Sequence, residues 1–249
     1  MNDTLFYIAG SSDALKYAQT FLTNWGFSFA SEPCDKVTHL LLPVPSLNDA
    51  GDIRGGGALS QVLEKLPKNI TLIGGNLDCR LLDGYTVIDL LKDPYYLASN
   101  AAITAHCALK FLLQKLPICL ENASILIIGW GRIGKCLAAI LRSLGARVTV
   151  SVRKQTDRAM LEALGYETDT VPPAPDRYRA VFNTAPETVL PEANAAMFPK
   201  DCLMIDLASK QGIAGTNVLI ARGLPGKDAP ESSGRLIASC VTRLIYNKE

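Results

Sequence analysis

One stretch constrains the fold more than any other: SILIIGWGRIGKCLAAILRSLGARVTVSV, residues 124–152. The apolar run SILIIG (124–129) is strand-like and closes on glycine. An amphipathic helix is expected from about 132 to 144, and RVTVSV (147–152) is a second strand. Strands that are apolar throughout, rather than at alternate positions, suit a parallel sheet covered on both faces.

The same alternation runs along the whole chain. Before residue 99, strands are expected at LFYIAG (5–10), HLLLPVPS (39–46), TLIGG (71–75) and YTVIDLL (85–91), with helices at 11–26 and 57–67. SNAAITAHCALKFLLQKL (99–116) has strong helix formers and no internal Pro or Gly, so a long helix should end at Pro117. Beyond the 124–152 unit come a helix at 155–164 and a loop, VPPAPD (171–176). Strands at 179–186, 202–209 and 216–223 and a last helix at 230–247 complete the chain. The expected fold class is therefore α/β: two doubly wound, Rossmann-like lobes with parallel sheets, joined by a long helix, with a cleft between them. Residues 1–98, completed by the terminal helix 230–249, make a substrate or partner domain. Residues 99–229 make a dinucleotide-binding domain that includes the linking helix 99–117.

Gly129-x-Gly131-x-x-Gly134 is a weak signal alone, but here a strand precedes it, a helix follows, and a second strand ends about 20 residues on. Gly129 allows the tight turn, Gly131 lets the backbone approach a pyrophosphate, and Gly134 lets helix and strand pack closely. The amides at the helix start, Arg132 and Ile133, supply the anion site. An NAD site places an acid at the end of the second strand, where it binds the ribose 2′-hydroxyl. Here that position carries Ser151, Arg153 and Lys154 and no carboxylate, the pattern that accommodates a 2′-phosphate. The expected cofactor is NADP, with NAD as the alternative.

Ligands in open α/β sheets bind beyond the carboxyl ends of the strands. That rule adds Asn183, Thr184, Ala185, Asp206 and Leu207 to the cofactor candidates. Substrate candidates are Arg54 in the glycine-rich loop 51–57, Asn100 and Thr104 one turn apart on the long helix, and Ser209 and Lys210. Asp206 also suits a structural role, capping the amides of a neighbouring loop. His106 is a candidate general base, because a histidine titrates near neutrality, and Lys210 a candidate carboxylate-binding cation. The turn GLPG (223–226) either brings amides to a ligand or only redirects the chain.

Charge excludes some partners. Residues 1–118 carry 9 Lys and Arg against 11 Asp and Glu, and residues 119–249 carry 16 against 13, so neither half is a nucleic-acid-binding arm. The seven cysteines form no C-x-x-C pair, and neither His39 nor His106 sits in a ligand cluster. Reduced thiols in the cytoplasm and no metal are expected. Met1 is followed by Asn-Asp-Thr, without the basic start of an export signal, and no apolar run is long enough to span a membrane.

GWGRIGKCLAAILRSLGARVTVSVRK, SNAAITAHCALKFLL, IDLASKQG and ARGLPGKDAPESSGRLIA, with HLLLPVPS and TLIGG more loosely, resemble the A subunits of dipicolinate synthases. That family is similar in architecture to the D-2-hydroxyacid dehydrogenases. The resemblance implies an NAD(P)-dependent oxidoreductase that converts dihydrodipicolinate, or its hydrated precursor, to pyridine-2,6-dicarboxylate. It also implies a sporulation-specific branch from lysine biosynthesis in the mother-cell cytoplasm, and a partner, the flavoprotein-like B subunit. A small dicarboxylate substrate asks for cations, here Lys210 and Arg54. A homo-oligomer is also compatible. The chain departs from the family in two runs. Ile103-Thr104-Ala105-His106-Cys107 stands for the family's Pro-Thr-Ala-Glu-Gly, and Ser209-Lys210-Gln211-Gly212-Ile213 for Ser-Lys-Pro-Gly-Gly. Two other readings stay open: a different NADP-dependent dehydrogenase on this scaffold, and a non-catalytic NADP-binding assembly component.

Overall fold

The computed structural model describes residues 4–175 and 178–246. The expectations that touch Met1–Asp3, Asp176 and residues 247–249 (no export signal, the end of a loop, the end of the last helix) lie outside the described residues. The chain divides into two compact units, Met1–Asn100 with Pro225–Glu249, and Ala101–Leu224.

The first unit is built on five parallel strands in the order β2-β1-β3-β4-β5: β1 (Leu5–Ile8), β2 (Ser28–Phe29), β3 (His39–Leu41), β4 (Thr71–Gly74) and β5 (Thr86–Asp89). Helices α1 (Asp13–Asn24) and α2 (Leu59–Leu63) fall between strands, and α3 (Pro94–Leu113) follows β5. Leu40, Leu42, Ile53, Leu59, Leu63 and Leu72 are among the buried residues on one side of this sheet. α1 starts where the Ser12 hydroxyl accepts the Leu15 amide.

The second unit has six parallel strands: β6 (Ser124–Ile128), β7 (Arg147–Ser151), β8 (Glu167–Asp169), β9 (Ala180–Asn183), β10 (Leu203–Asp206) and β11 (Val218–Ile220). Their order is β11-β10-β9-β6-β7-β8. Counted within the unit, that is 6-5-4-1-2-3, the doubly wound order of a dinucleotide-binding half pair, with its switch point between β6 and β9. Four of the five residues of β6 and all four of β9 are buried, as strands covered on both faces must be. Helices α4 (Arg132–Ser143), α5 (Gln155–Ala163) and α6 (Glu192–Ala195) complete the second unit, and α7 (Leu224–Asp228) begins at its last residue and runs into the first. The final helix α8 (Pro230–Tyr246) packs on α1 in the first unit. At Gly234 the approach is so close that a Cβ would lie 2.5 Å from the Tyr17 Cβ and 2.6 Å from the Ala14 carbonyl oxygen.

The α/β class with two parallel sheets matches the sequence expectation. Two details differ. α3 begins at Pro94, five residues before the expected start, because the Asp93 carboxylate accepts the Tyr96 amide at 2.8 Å and Pro94 occupies the first helical position. The GLPG segment, expected to be only a turn, opens the short helix α7. Among the described residues no helix is long and apolar enough to cross a membrane, and no three His, Cys, Asp or Glu side chains group as metal ligands.

Candidate functional site

The switch point of the second sheet is assembled by the glycine turn and the loops after β7, β9 and β10. Gly129 takes φ +101°, where a side chain is strained, and a Cβ there would lie 2.7 Å from the Thr184 hydroxyl. That hydroxyl donates to the Ile128 carbonyl oxygen at 3.0 Å and so ties the turn to the loop after β9. Gly134 sits against the same turn, and a Cβ on it would collide with the Gly129 carbonyl oxygen. Nothing lies within 4 Å of the Cβ position of Gly131. Gly131 is the N-cap of α4, and the first turn of α4 holds no acid. The amides of Arg132, Ile133 and Gly134 therefore have no acceptor within the helix, and no acid in its own first turn offsets the positive end of its dipole. These features fit a pyrophosphate: room at Gly131, orphan donors, and a turn that only glycine permits.

Beside the turn lies a cavity of about 150 Å³ walled by Gly129, Trp130, Val152, Arg153, Ala185 and Val189. Trp130 is fixed by edge-to-face contact with Tyr166, with ring centroids 5.6 Å apart. Lys135 Nζ lies 5.8 Å from the centre of its ring.

The loop after β10 folds around Asp206, which is fully buried. Its Oδ1 accepts the Ala208 amide at 3.0 Å. Its Oδ2 accepts the amides of Gly212 at 2.7 Å and Ile213 at 3.0 Å, and Asn183 Nδ2 at 3.2 Å. Asn183 in turn braces its own loop, with Oδ1 accepting the Ala185 amide and Nδ2 donating to the Ala185 carbonyl, both at 3.0 Å. The Asn183 carbonyl also accepts the Leu207 amide at 2.9 Å. This wrapping leaves Ser209, Lys210 and Gln211 exposed on the outside of the loop and buries Ile213 in the core. Gly212 has no room for a Cβ, which would collide with Asn183 Nδ2 and the Glu187 carbonyl oxygen.

The structure thus brings Gly129, Gly131, Arg132, Ile133, Gly134, Arg153, Lys154, Asn183, Thr184, Ala185, Asp206 and Leu207 to one end of one sheet. It corrects the expected use of several side chains. Ser151 is fully buried and its hydroxyl donates to the Thr170 carbonyl, so it is not available to a ribose. The carboxamide of Asn183 is likewise engaged in the loop network, while the carboxylate of Asp206 caps the loop amides, the structural one of the two uses expected of it, rather than standing open to a ligand. The end of β7 is not free of carboxylates, because Glu187 from the loop after β9 pairs with Arg153. Sequence reasoning missed Glu187, Trp130 and Arg222, whose Nε donates to the Ala208 carbonyl at 3.0 Å and anchors the Lys210 loop from behind.

The remaining candidates lie elsewhere. On α3, Asn100 is half-buried, Thr104 buried and His106 exposed, while Cys107 points into the interior. Arg54 belongs to the first unit, where its backbone is held at both ends. Its amide donates to the Ser46 carbonyl at 2.9 Å and its carbonyl accepts the Ser11 amide at 3.1 Å. Its Nε donates to the Leu47 carbonyl at 2.9 Å. The loop fits because Gly10, Gly55 and Ser11 interlock, and a Cβ on Gly55 would strike the Ser11 carbonyl. Arg54 is therefore an exposed cation on a fixed stem.

No protein-family model matches the chain. The A subunit of dipicolinate synthase from Bacillus subtilis (strain 168) is 26% identical over 157 residues, 59% of this chain and 53% of that protein. The match thus spans about half the length of this curated relative. The crystal structure of the dipicolinate synthase A subunit from Bacillus halodurans superposes with a TM-score of 0.83 at 22% identity, covering 98% of both chains. The chain is similar to the A subunit of dipicolinate synthase in sequence and in fold. D-lactate dehydrogenase from Escherichia coli, solved in its apo form, shares the fold with a TM-score of 0.61 and 16% identity, covering 97% of this chain and 96% of that one. The chain thus shares its two-sheet fold with both of these structures.

Proposed function

We propose that this chain is an NADP-dependent oxidoreductase of the dipicolinate synthase A type, oxidising dihydrodipicolinate or its hydrated precursor to pyridine-2,6-dicarboxylate. The observation that carries the reading is the glycine turn at the switch point of a 6-5-4-1-2-3 sheet, with Arg153 and Lys154 at the end of β7. Gly131, Arg132, Ile133 and Gly134 would hold the pyrophosphate, and Val152, Arg153 and Lys154 the adenosine end. The bound dinucleotide supplies the hydride acceptor. Loss of one hydride and one proton turns the dihydro ring into an aromatic one, the hydrated precursor losing a water in addition, and aromatisation gives the reaction its driving force.

The work left to side chains is positioning and proton removal. Within the second unit, Lys210 with Ser209 is assigned to a substrate carboxylate, Thr104 to the substrate and His106 to the departing proton; Arg54 and Asn100 are the substrate candidates of the first unit taken by itself. Asp206 acts through the loop it shapes, because its four hydrogen bonds fix where Lys210 stands. The resemblance further supports a partner, the flavoprotein-like B subunit, in the cytoplasm of a sporulating mother cell.

The test mixes the chain, the B subunit, NADP⁺ and freshly formed dihydrodipicolinate, and follows the ultraviolet spectrum of pyridine-2,6-dicarboxylate. Product that depends on this chain supports the reading. Turnover only of another hydroxy or imino acid assigns a different dehydrogenase. Tight NADPH binding with no turnover, even with the partner present, assigns a non-catalytic assembly component.

A further inference from the structure

A second cavity, of about 240 Å³, adjoins the first at the end of β7. It is lined by Arg153, Lys154, Gln155, Arg158 and Thr170. The two cavities share Val152, Arg153, Lys154 and Val171, so a ligand seated by the glycine turn can extend from one into the other. Among the described residues, the lining of the outer cavity holds three cations and no carboxylate. Lys154 is the N-cap of α5 and its carbonyl accepts the Arg158 amide at 3.1 Å, so the two residues stand together at the first turn of that helix. Neither forms an ion pair among the described residues.

Arg153 differs from these two. Its guanidinium is paired with Glu187. Ala185 and Val189, two residues to either side of Glu187 in sequence, line the inner cavity together with Arg153, so the pair stands beside the place proposed for the nucleoside. Both partners are more than half exposed, and exposed pairs of this kind are weak.

We infer that Glu187 sets the choice between the two dinucleotides by competing with the 2′-phosphate for Arg153, while Lys154 and Arg158 form the standing seat for that phosphate. The inference rests on the NADP reading above. A dianionic phosphate backed by Lys154 and Arg158 draws Arg153 away from Glu187. A bare ribose hydroxyl leaves the Arg153–Glu187 pair in place. Glu187 therefore opposes NADPH and leaves NADH unaffected. Arg158, on α5, was not among the residues that the sequence pattern singled out.

The test is equilibrium titration of the full chain with NADPH and with NADH, read through the fluorescence of Trp130 at the cavity wall. Wild type, Glu187→Gln, Arg158→Ala and Arg158→Glu are compared, each checked for folding by circular dichroism. Glu187→Gln should tighten NADPH about twofold to fivefold with NADH unchanged. Arg158→Ala should weaken NADPH about tenfold with NADH unchanged, and Arg158→Glu should weaken it further. If wild type prefers NADPH but Glu187→Gln weakens it, Glu187 orients Arg153 instead of competing. The inference then fails while the NADP reading stands. It fails in the same way if the Arg158 variants move both dinucleotides alike or neither. A wild type that binds NADH as tightly as NADPH, or binds neither, overturns the NADP reading and the inference together.

Discussion

Replacing Asp206 by alanine removes the acceptor around which the loop after β10 is wound. Four donors lose their partner at once: the amides of Ala208, Gly212 and Ile213, and the Asn183 carboxamide, at 2.7 to 3.2 Å. The side chain is fully buried, so water does not take its place without the loop opening. At about 1 kcal/mol per orphaned buried donor, the substitution should cost roughly 4 kcal/mol if the loop stays closed, and less if it opens to hydrate the donors. Asp206→Asn keeps the volume and one acceptor but turns an N–H toward other donors, and should fall between alanine and wild type. Urea unfolding followed by circular dichroism measures the loss. The same variants should raise the substrate KM through misplaced Lys210 while leaving the affinity for dinucleotide less affected. A loss below about 1 kcal/mol for Asp206→Ala would refute the reasoning, since even one uncompensated buried donor costs that much.

Gly134→Ala should weaken dinucleotide binding at least about tenfold, because the helix start must move off the Gly129 carbonyl and carry its amides with it; unchanged binding by calorimetry would contradict the role given to the turn. Gly234→Ala should destabilise the chain by about 1–3 kcal/mol through overpacking of α8 on α1, with dinucleotide affinity unchanged, and a neutral effect on urea midpoints would disprove the close approach. Burial, reinforced by Asp201, pushes the Cys202 thiol up to about 12, and burial with Asp93 pushes Cys240 up to about 11. Both stay protonated in the folded chain where a free thiol ionises, so their contribution to stability is intact below about pH 8 and is lost as pH rises toward 11 and 12. Unfolding midpoints should therefore fall between about pH 8 and about pH 10, and a flat or rising profile would speak against buried thiols. Alkylation followed by mass spectrometry at about pH 8 should mark exposed Cys119 well before Cys202 or Cys240.

What could be read from the sequence was what local periodicity encodes. The β6–α4–β7 unit was legible because an apolar run, a glycine turn and an amphipathic helix lie within 30 residues of one another. The start of α3 was missed because the uninterrupted helix-forming run was taken from Ser99, while the start signal lies upstream in the Asp93-Pro94 pair, a cap followed by a first-turn proline. α7 was missed because Pro225 and Gly226 read as a turn, although a proline at the second position of a short helix loses no intrahelical bond. At the site, the glycines were legible, since their need follows from backbone geometry. The loop-capping role of Asp206 was legible as one of its two expected uses, but the engagement of Ser151 and Asn183 was not, because their partners are groups brought in by the fold. Arg153 and Glu187 stand 34 residues apart and meet only when β9 is placed beside β6. The change to Ile213, conspicuous in the sequence, lies in the core beneath the loop, where an apolar side chain packs well.

The most direct test of the central claim is a crystal structure of the chain grown with NADPH. The pyrophosphate should lie on the amides that follow Gly131, the adenosine between Val152 and Ala185, and the 2′-phosphate beside Lys154 and Arg158. Clear density for the dinucleotide anywhere else, or none at the Gly129–Gly134 turn at saturating concentration, would contradict it.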